Sequence, residues 1–437
     1  MPKCYSAKYI ISGDGNLFED STIIVEEGKI QKIVPNSEFD KENCKNYKDY
    51  GNAIITPGFV NIHNQLQYND IGKIKSKKIK TAIKSFFMNI KKQYFLAGLN
   101  KNSFVYKVGN LLAQYFVLTR EEKLKSFENG LIQNLLSGTT AIAQLSKETK
   151  YFEILNKYPI KTYLFFEVLS DSREKSKEEF RSIQKRIDKL LKNKSEDTFI
   201  GVAPHSVCSA HKRLYKILAK YCKKNNILMT TRLGESQEEI DWLKHGFSDV
   251  DILNAFTGLK KFEPYESKPP VEYLADLNVI NKRLIVSHGS FLDDKELEIL
   301  KENGVSLAYC PLNDNNVHGK HLELDKVLKY FENNFALGTN CAPFNNSSSL
   351  LEELRFVNKG QLGALDAIKY LTLIPAKILR LDNIIGSIAS GKDADFCIFK
   401  LNENEDYSAI LNKTNPDYVY IKGRRVVDNG EIRIKTK

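Results

Sequence analysis

Eight short apolar segments, separated by longer amphipathic stretches, constrain the fold of this chain most strongly. In the stretch containing Phe180, Ile183, Ile187, Leu190 and Leu191, apolar residues recur three and four positions apart, which is typical of a helix. Eight strands alternating with helices over roughly 300 residues predict a (β/α)8 barrel, in which functional residues follow the carboxyl ends of the strands. A doubly wound sheet is the alternative, but no glycine-rich dinucleotide motif follows the first segment. The predicted strands are residues 53–62, 139–145, 161–168, 199–204, 227–233, 283–287, 305–310 and 335–339.

Both ends of the chain carry a different pattern. Residues 7–56 alternate apolar and polar side chains with glycine-containing turns, and residues 394–399 and 418–427 repeat this pattern. We therefore expect an α/β protein in which a TIM-like barrel carries a small β-sandwich domain built from both termini. The predicted boundaries are 1–56 and 381–437 for the two parts of the sandwich, and 57–380 for the barrel.

Composition narrows the class of protein. No apolar run approaches the roughly 20 residues of a membrane span, and no signal peptide is recognisable, so a cytoplasmic protein is expected. Seven cysteines without regular spacing predict free thiols and neither a disulfide framework nor a structural zinc site. The net charge of +11 is spread over many segments. Its densest run, residues 73–80, lacks interleaved aromatic residues, which favours a solvated helix face over nucleic-acid binding.

Polar residues that could carry chemistry cluster where the predicted strands end. They are His63, His205, Arg232, Glu235, His288 and Asn340. Structural roles are expected for several other residues. His211 and His245 are predicted on helix surfaces, His318 and His321 on the protein surface, and Trp242 packed in the interior.

The motifs around these positions, in this order, resemble the amidohydrolase superfamily. The resemblance is to the branch of deaminases acting on S-adenosylhomocysteine, methylthioadenosine and aminofutalosine, and of triazine chlorohydrolases. It covers nearly the whole chain and implies the barrel fold and a hydrolase acting on non-peptide C–N bonds. The motifs are residues 57–65, 203–206, 233–239, 287–289, 308–311, 337–339, 345–347 and 386–395.

The resemblance also implies a zinc or iron site at four positions, of which only His63 keeps its ligand type. The other three are Gln65, Arg232 and Asn340. An amide oxygen is a poor ligand, and a guanidinium has no free lone pair and is always charged. These substitutions argue against the binding of a normal catalytic metal. We expect the guanidinium of Arg232 to lie in the metal's place and to donate to Glu235 and to the amide oxygens of Gln65 and Asn340.

The resemblance assigns roles to the remaining residues. Glu235 matches the proton-shuttling glutamate, His288 the histidine that contacts the attacking hydroxide, and His205 a substrate-contacting residue. Asn313 and Asp314 are also expected to bind substrate, on a loop after the seventh strand that departs from the family pattern. Three functions remain open: a catalytically impaired family member, an active deaminase or hydrolase with an atypical or metal-free site, and a nucleoside-binding or scaffolding pseudoenzyme. A nucleoside-like ligand and a homodimer are the expected partners.

Overall fold

The structure is a computed structural model that describes residues 2–44, 46–74, 77–94, 103–193, 195–260, 262 and 267–434 of the 437-residue chain. Its strands fall into three groups along the sequence. Five strands come first: β1 (Lys3–Ile11), β2 (Leu17–Glu26), β3 (Lys29–Pro35), β4 (Asn46–Asp49) and β5 (Ala53–Pro57). Eight follow: β6 (Phe59–Asn64), β7 (Thr139–Ser146), β8 (Lys161–Val168), β9 (Thr198–Pro204), β10 (Met229–Leu233), β11 (Leu284–His288), β12 (Ser306–Tyr309) and β13 (Phe335–Leu337). The last four are β14 (Phe396–Lys400), β15 (Tyr418–Ile421), β16 (Arg424–Asp428) and β17 (Glu431–Ile432).

Strands β6 to β13 form the predicted barrel. Each pairs in parallel with the next one along the chain. A parallel bridge between Asn64 and Asn340 connects β6 with the segment after β13, and the backbone N–H groups of Gln65 and Asn340 donate across it at 2.7 and 2.9 Å. Gly338 permits this closure, since a Cβ there would come within 2.7 Å of the Cβ of His63.

Helices fill the connections between the barrel strands, and further helices follow the last barrel strand. They are α1 (Lys77–Tyr94), α2 (Phe104–Val117), α3 (Arg120–Leu136), α4 (Phe152–Leu155), α5 (Arg173–Asn193), α6 (Lys212–Asn225), α7 (Gln237–His245), α8 (Val250–Phe256), α9 (Pro270–Asp276), α10 (Asp294–Glu302), α11 (Pro311–His318), α12 (Leu324–Phe331), α13 (Ala342–Asn345), α14 (Leu350–Val357), α15 (Ala364–Leu371) and α16 (Leu373–Ile378). Short 3-10 turns occur at Lys41–Asn43, Leu66–Tyr68, Thr149–Tyr151, Glu332–Asn334 and Tyr407–Asn412.

The periodicity predicted for α5 is present in its burial. Ile183, Ile187 and Leu190 are buried, whereas Leu191, which the same pattern included, is 53% exposed. In the lysine-rich run, the side chains of Lys77, Lys78 and Lys80 in α1 are exposed and that of Ile79 is buried, as expected for a solvated helix face. Lys75 and Ser76 of that run lie outside the described residues.

The two ends of the chain build one mixed nine-stranded sheet, with β5 and β14 side by side at its centre. This sheet has an apolar core of its own, separate from that of the barrel, and includes Tyr5, Ile10, Ile55, Phe396 and Tyr420. The prediction of a barrel with a small β domain made by both termini is confirmed.

Two sequence predictions need correction here. The first predicted barrel strand, residues 53–62, is in fact two strands: β5 belongs to the small sheet and β6 to the barrel, because the chain changes sheets at Pro57-Gly58. The expectation of free thiols throughout is also wrong, because Cys4 on β1 and Cys44 form a disulfide. The other five cysteines are free and buried. No helix within the described residues has the length and hydropathy needed to cross a membrane.

Candidate functional site

Most of the polar residues singled out in the sequence line one pocket at the carboxyl ends of the barrel strands, whereas His63 and His288 are fully buried and are not part of its lining. Arg232 is in β10, Glu235 follows that strand, and Gln65 and Asn340 follow β6 and β13. The opposite wall is apolar and comes mainly from α2 and α8. Its residues are Phe104, Val108, Leu111, Leu112, Val250 and Leu253. A largely apolar pocket with a few convergent polar groups is the usual form of a small-molecule site.

Arg232 is the centre of the polar network. Its Nη1 donates to Glu235 Oε1 at 2.8 Å and lies 3.3 Å from His288 Nε2. Its Nη2 donates to Gln65 Oε1 at 2.9 Å and, more weakly, to Asn340 Oδ1 at 3.4 Å. The three hydrogen bonds expected for this guanidinium are therefore all present. The side chain is about 90% buried, so its charge depends on these partners.

Electrostatics fixes the protonation of this group of residues. Burial opposes both charges, yet the carboxylate of Glu235 raises the pKa of Arg232 above its ordinary value. Reciprocally, Arg232 and His288 hold the pKa of Glu235 well below its usual range despite burial. For His63, burial followed by the nearby His288 and Arg232 lowers the pKa well below the ordinary histidine value. At neutral pH the site thus contains an Arg–Glu ion pair beside an uncharged imidazole.

His288 is held by a carboxylate behind it. Its Nδ1 lies 2.6 Å from Asp314 Oδ1, and Ser290 Oγ donates to Asp314 Oδ2 at 2.8 Å. His288 has a backbone φ of +74°, and the following Gly289 has +71°. A left-handed conformation is costly for a histidine and is typical of functional positions. Asp314, expected to contact substrate, is fully buried against these two side chains and is not part of the pocket lining.

The other expected substrate contacts, His205 and Asn313, do line the pocket. Asn313 Oδ1 accepts from Asn340 Nδ2 at 2.9 Å, so it extends the network around Arg232. His205 Nδ1 bonds Ser209 Oγ at 2.7 Å, and burial lowers the pKa of His205 to about 4. His205 is therefore uncharged at neutral pH.

His318 corrects an expectation. It was predicted to lie on the surface, but its side chain is 3% exposed and its Nε2 is 3.8 Å from Glu235 Oε1. Its ring packs against Phe104 and Phe291. It is buried because α2, inserted between β6 and β7, packs over the end of α11. Its companion His321 is also largely covered, at 16% side-chain exposure. Trp242 is buried and His245 is exposed, both as predicted. His211 is half-buried at the N-cap of α6.

Two further pocket residues were not singled out from the sequence. Glu167, near the end of β8, and Glu239, in α7, are both buried and both line the pocket. The position of Glu167 at a strand end was an available signal. The position of Glu239 was not, because it depends on how the first turn of α7 bends back so that the carboxylate accepts from Gly234 N at 2.7 Å.

The residues present do not fit the divalent metal that the resemblance implies. Of its four positions, one offers an imidazole, two offer amides, and the fourth offers a cation whose donors point at the amide oxygens. Within the described residues, no group of three or more His, Cys, Asp or Glu side chains could hold a metal ion. Neither ring nitrogen of the buried His63 makes a well-formed hydrogen bond. His63 is therefore available as a ligand, but the other three positions supply no further imidazole or carboxylate.

Comparison of sequences gives a consistent set of relatives. Residues 54–426 match the model of the amidohydrolase family. A 5-methylthioadenosine/S-adenosylhomocysteine deaminase of Thermodesulfovibrio yellowstonii is 25% identical over 97% of this chain and 93% of its own. The enzyme of the same name from Clostridium tetani is 24% identical over 72% of this chain and 73% of its own.

Comparison of structures supports the fold. Aminofutalosine deaminase of Helicobacter pylori, in complex with methylthio-coformycin, superposes with a TM-score of 0.80 at 20% identity, covering 97% of this chain and 100% of that one. Atrazine chlorohydrolase of Arthrobacter aurescens, complexed with zinc, gives 0.73 at 14% identity, covering 99% and 96%.

Proposed function

Because the chain belongs to the amidohydrolase family, we propose that it is a deaminase-type family member that binds a nucleoside-like ligand with Arg232 in the metal's place, and that metal-dependent deamination is lost. The relatives that act on methylthioadenosine and S-adenosylhomocysteine support the ligand class. The apolar wall of the pocket suits a planar base. The observation that carries the proposal is the set of hydrogen bonds from Arg232 to Glu235, Gln65 and Asn340.

Electrostatics argues against Arg232 and a divalent cation sharing this site. At about 4 Å and an effective dielectric near 20, two unit charges interact with roughly 4 kcal/mol, and a dication doubles the repulsion. Asn340 supplies no negative charge to offset it. Without a metal, a bound water keeps its high pKa, and a glutamate that is already ion-paired is a weak base for it. These two effects together account for the proposed loss of activity.

A second function, metal-free hydrolysis, is favoured by one observation. Asp314, His288 and Glu235 remain connected, with 2.6 Å from Asp314 Oδ1 to His288 Nδ1 and 3.7 Å from His288 Nε2 to Glu235 Oε1. If ligand binding brings His288 Nε2 and Glu235 Oε1 to hydrogen-bond distance, this row of groups can pass a proton. A homodimer and a cytoplasmic location are further proposals, of which the first rests on the resemblance and the second on the predominance of free cysteines.

The test combines metal content with ligand binding. Purified protein is loaded with Zn²⁺ or Fe²⁺, desalted and analysed for metal, and 5-methylthioadenosine binding is measured by calorimetry. We expect metal well below stoichiometry together with measurable binding and no deamination. The variant Gln65→His/Arg232→His/Asn340→Asp restores the three ligand types and should retain about one metal per chain. Arg424→His, at an exposed position, is the control. Stoichiometric metal and deamination in the unmodified protein would refute the proposal, whereas deamination without metal would favour the second function.

A further inference from the structure

The pocket contains a second buried carboxylate, Glu167, that the Arg232 network does not use. Glu167 is 5% exposed and lines the pocket from β8, on the far side of β9 from Arg232. Its Oε1 is buried and makes no hydrogen bond. A buried carboxylate ordinarily accepts several hydrogen bonds, and leaving one without them is costly. The place of Glu167 in the pocket wall points to a partner supplied by a ligand.

The two basic neighbours of Glu167 do not supply that partner. Lys147 Nζ lies 4.0 Å from Oε2, beyond hydrogen-bond distance, and its side chain is 46% exposed to solvent. His205 Nε2 lies 3.9 Å from Oε1 and is also outside hydrogen-bond distance. His205 directs its other ring nitrogen to Ser209. Glu167 therefore keeps free acceptor capacity in a mostly apolar enclosure.

The other charged groups of the pocket are already matched. Arg232 and Glu235 neutralise each other at 2.8 Å. Glu239 accepts from the backbone N–H of Gly234 at 2.7 Å, and burial raises its pKa to about 8, so this side chain is mostly protonated at neutral pH. Among the described pocket residues, Glu167 is thus the acidic group without a close cation, since Lys147 is 4.0 Å away and 46% exposed. In a low-dielectric enclosure a charge-assisted hydrogen bond to it would be strong.

We propose that Glu167 binds a protonated amine of the ligand, so that the pocket prefers amine-bearing nucleosides to neutral or carboxylate-bearing ones. The inference rests on the proposed nucleoside-binding function and adds the chemistry of the ligand's substituent. An ammonium supplies three donors and a compensating charge. A thioether supplies neither, and a carboxylate would face Glu167 with like charge.

Binding of three probes at pH 7 tests the preference: 5′-amino-5′-deoxyadenosine, 5-methylthioadenosine and adenosine 5′-carboxylate. Since hydrogen bonds to charged groups contribute about 1.5–3 kcal/mol, the amine should bind at least about 10-fold more tightly than the thioether. The carboxylate should bind most weakly. Glu167→Gln, which keeps the shape of the side chain, should remove the advantage of the amine while leaving thioether binding within about 3-fold. Lys147→Met should preserve the advantage or increase it.

Glu153→Gln, at an exposed position in α4, is the matched control and should leave all three affinities unchanged. Thioether binding without an amine preference, or a preference that survives in Glu167→Gln, would overturn the inference and leave the proposed function standing. If none of the three probes binds, the proposed function itself fails. Circular dichroism of Glu167→Gln verifies that the variant is folded, and retention of thioether binding verifies an intact pocket.

Discussion

Among single residues, Glu239 connects the pocket to pH. Burial raises its pKa to about 8, against about 4.3 for a glutamate in an unfolded chain. The folded protein therefore holds a proton that the unfolded chain releases. The stability contributed by the protonated group is complete below about pH 4 and is lost as the pH rises towards 8.

Glu239→Gln should consequently flatten the pH dependence. Between pH 5 and 8 the free energy of unfolding of the unmodified protein should carry a loss of about 1.4 kcal/mol per pH unit from this group. The variant lacks that contribution, so its stability relative to the unmodified protein should be higher at pH 8 than at pH 5. Urea unfolding at both pH values measures the difference. Glu238→Gln, at the adjacent and more exposed position, is the control, and equal pH profiles for the two variants would contradict the assignment.

Single residues also show what the sequence could and could not predict about the site. The contacts of Arg232 were predictable, because its partners follow strand ends that a parallel barrel brings to one edge. The positions of His318 and Asp314 were not. His318 is buried only because α2 covers it, and Asp314 faces His288 only because of how α11 begins. Both depend on packing between segments far apart in sequence, which local patterns do not record.

At the scale of elements, the change from β5 to β6 depends on Gly58. Its N–H donates to Asp395 O at 2.9 Å, and a Cβ at this position would overlap the side chain of Thr140 on β7. An apolar run without periodicity hides such a change of sheet, which explains why residues 53–62 resemble one strand. The pattern predicted the number and order of barrel strands, but only the close approach of Gly58 and Thr140 identifies the break.

Gly58→Ala should therefore destabilise the protein by about 1–3 kcal/mol, the usual cost of overpacking. Adding Thr140→Ala should recover part of that loss by removing two of the overlapping atoms. Gly363→Ala, where no atom lies within 4 Å of the added Cβ, should have little effect. Chemical denaturation compares the four proteins. A Gly58→Ala protein as stable as the parent would show that this junction tolerates a side chain.

At the scale of the whole molecule, a buried ion cluster connects the barrel to the small sheet. Lys161, the first residue of β8, is 1% exposed, and its Nζ lies 2.8 Å from both Asp393 Oδ2 and Asp395 Oδ2. The two aspartates precede β14, and Asp395 Oδ1 also accepts from Lys422 N at 2.8 Å. Lys161 of the barrel thus pairs with two carboxylates of the small sheet domain, and Lys29 of that domain also pairs with Asp393.

Lys161→Met should leave Asp395 without a lysine partner and Asp393 with Lys29 alone, and it should cost about 3–5 kcal/mol of stability. The variant Lys161→Met/Asp393→Asn/Asp395→Asn should recover much of the loss, because it removes the buried charges together. Thermal and urea unfolding measure both. Lys216→Met, at an exposed position in α6, should change stability by less than about 0.5 kcal/mol. If Lys161→Met matched that control, the cluster would contribute nothing to the union of the domains.

The pairing of β5 with β14 also constrains how the protein folds during its synthesis. One edge of β5 pairs with β1, but the partners of its other edge come only at residues 396–400. During synthesis the first five strands are made long before those partners, and the growing chain carries an unsatisfied strand edge while the barrel is translated. Exposed edges of this kind pair readily with other chains. A nascent chain stalled before residue 396 should therefore depend on chaperones, even though its barrel is already complete.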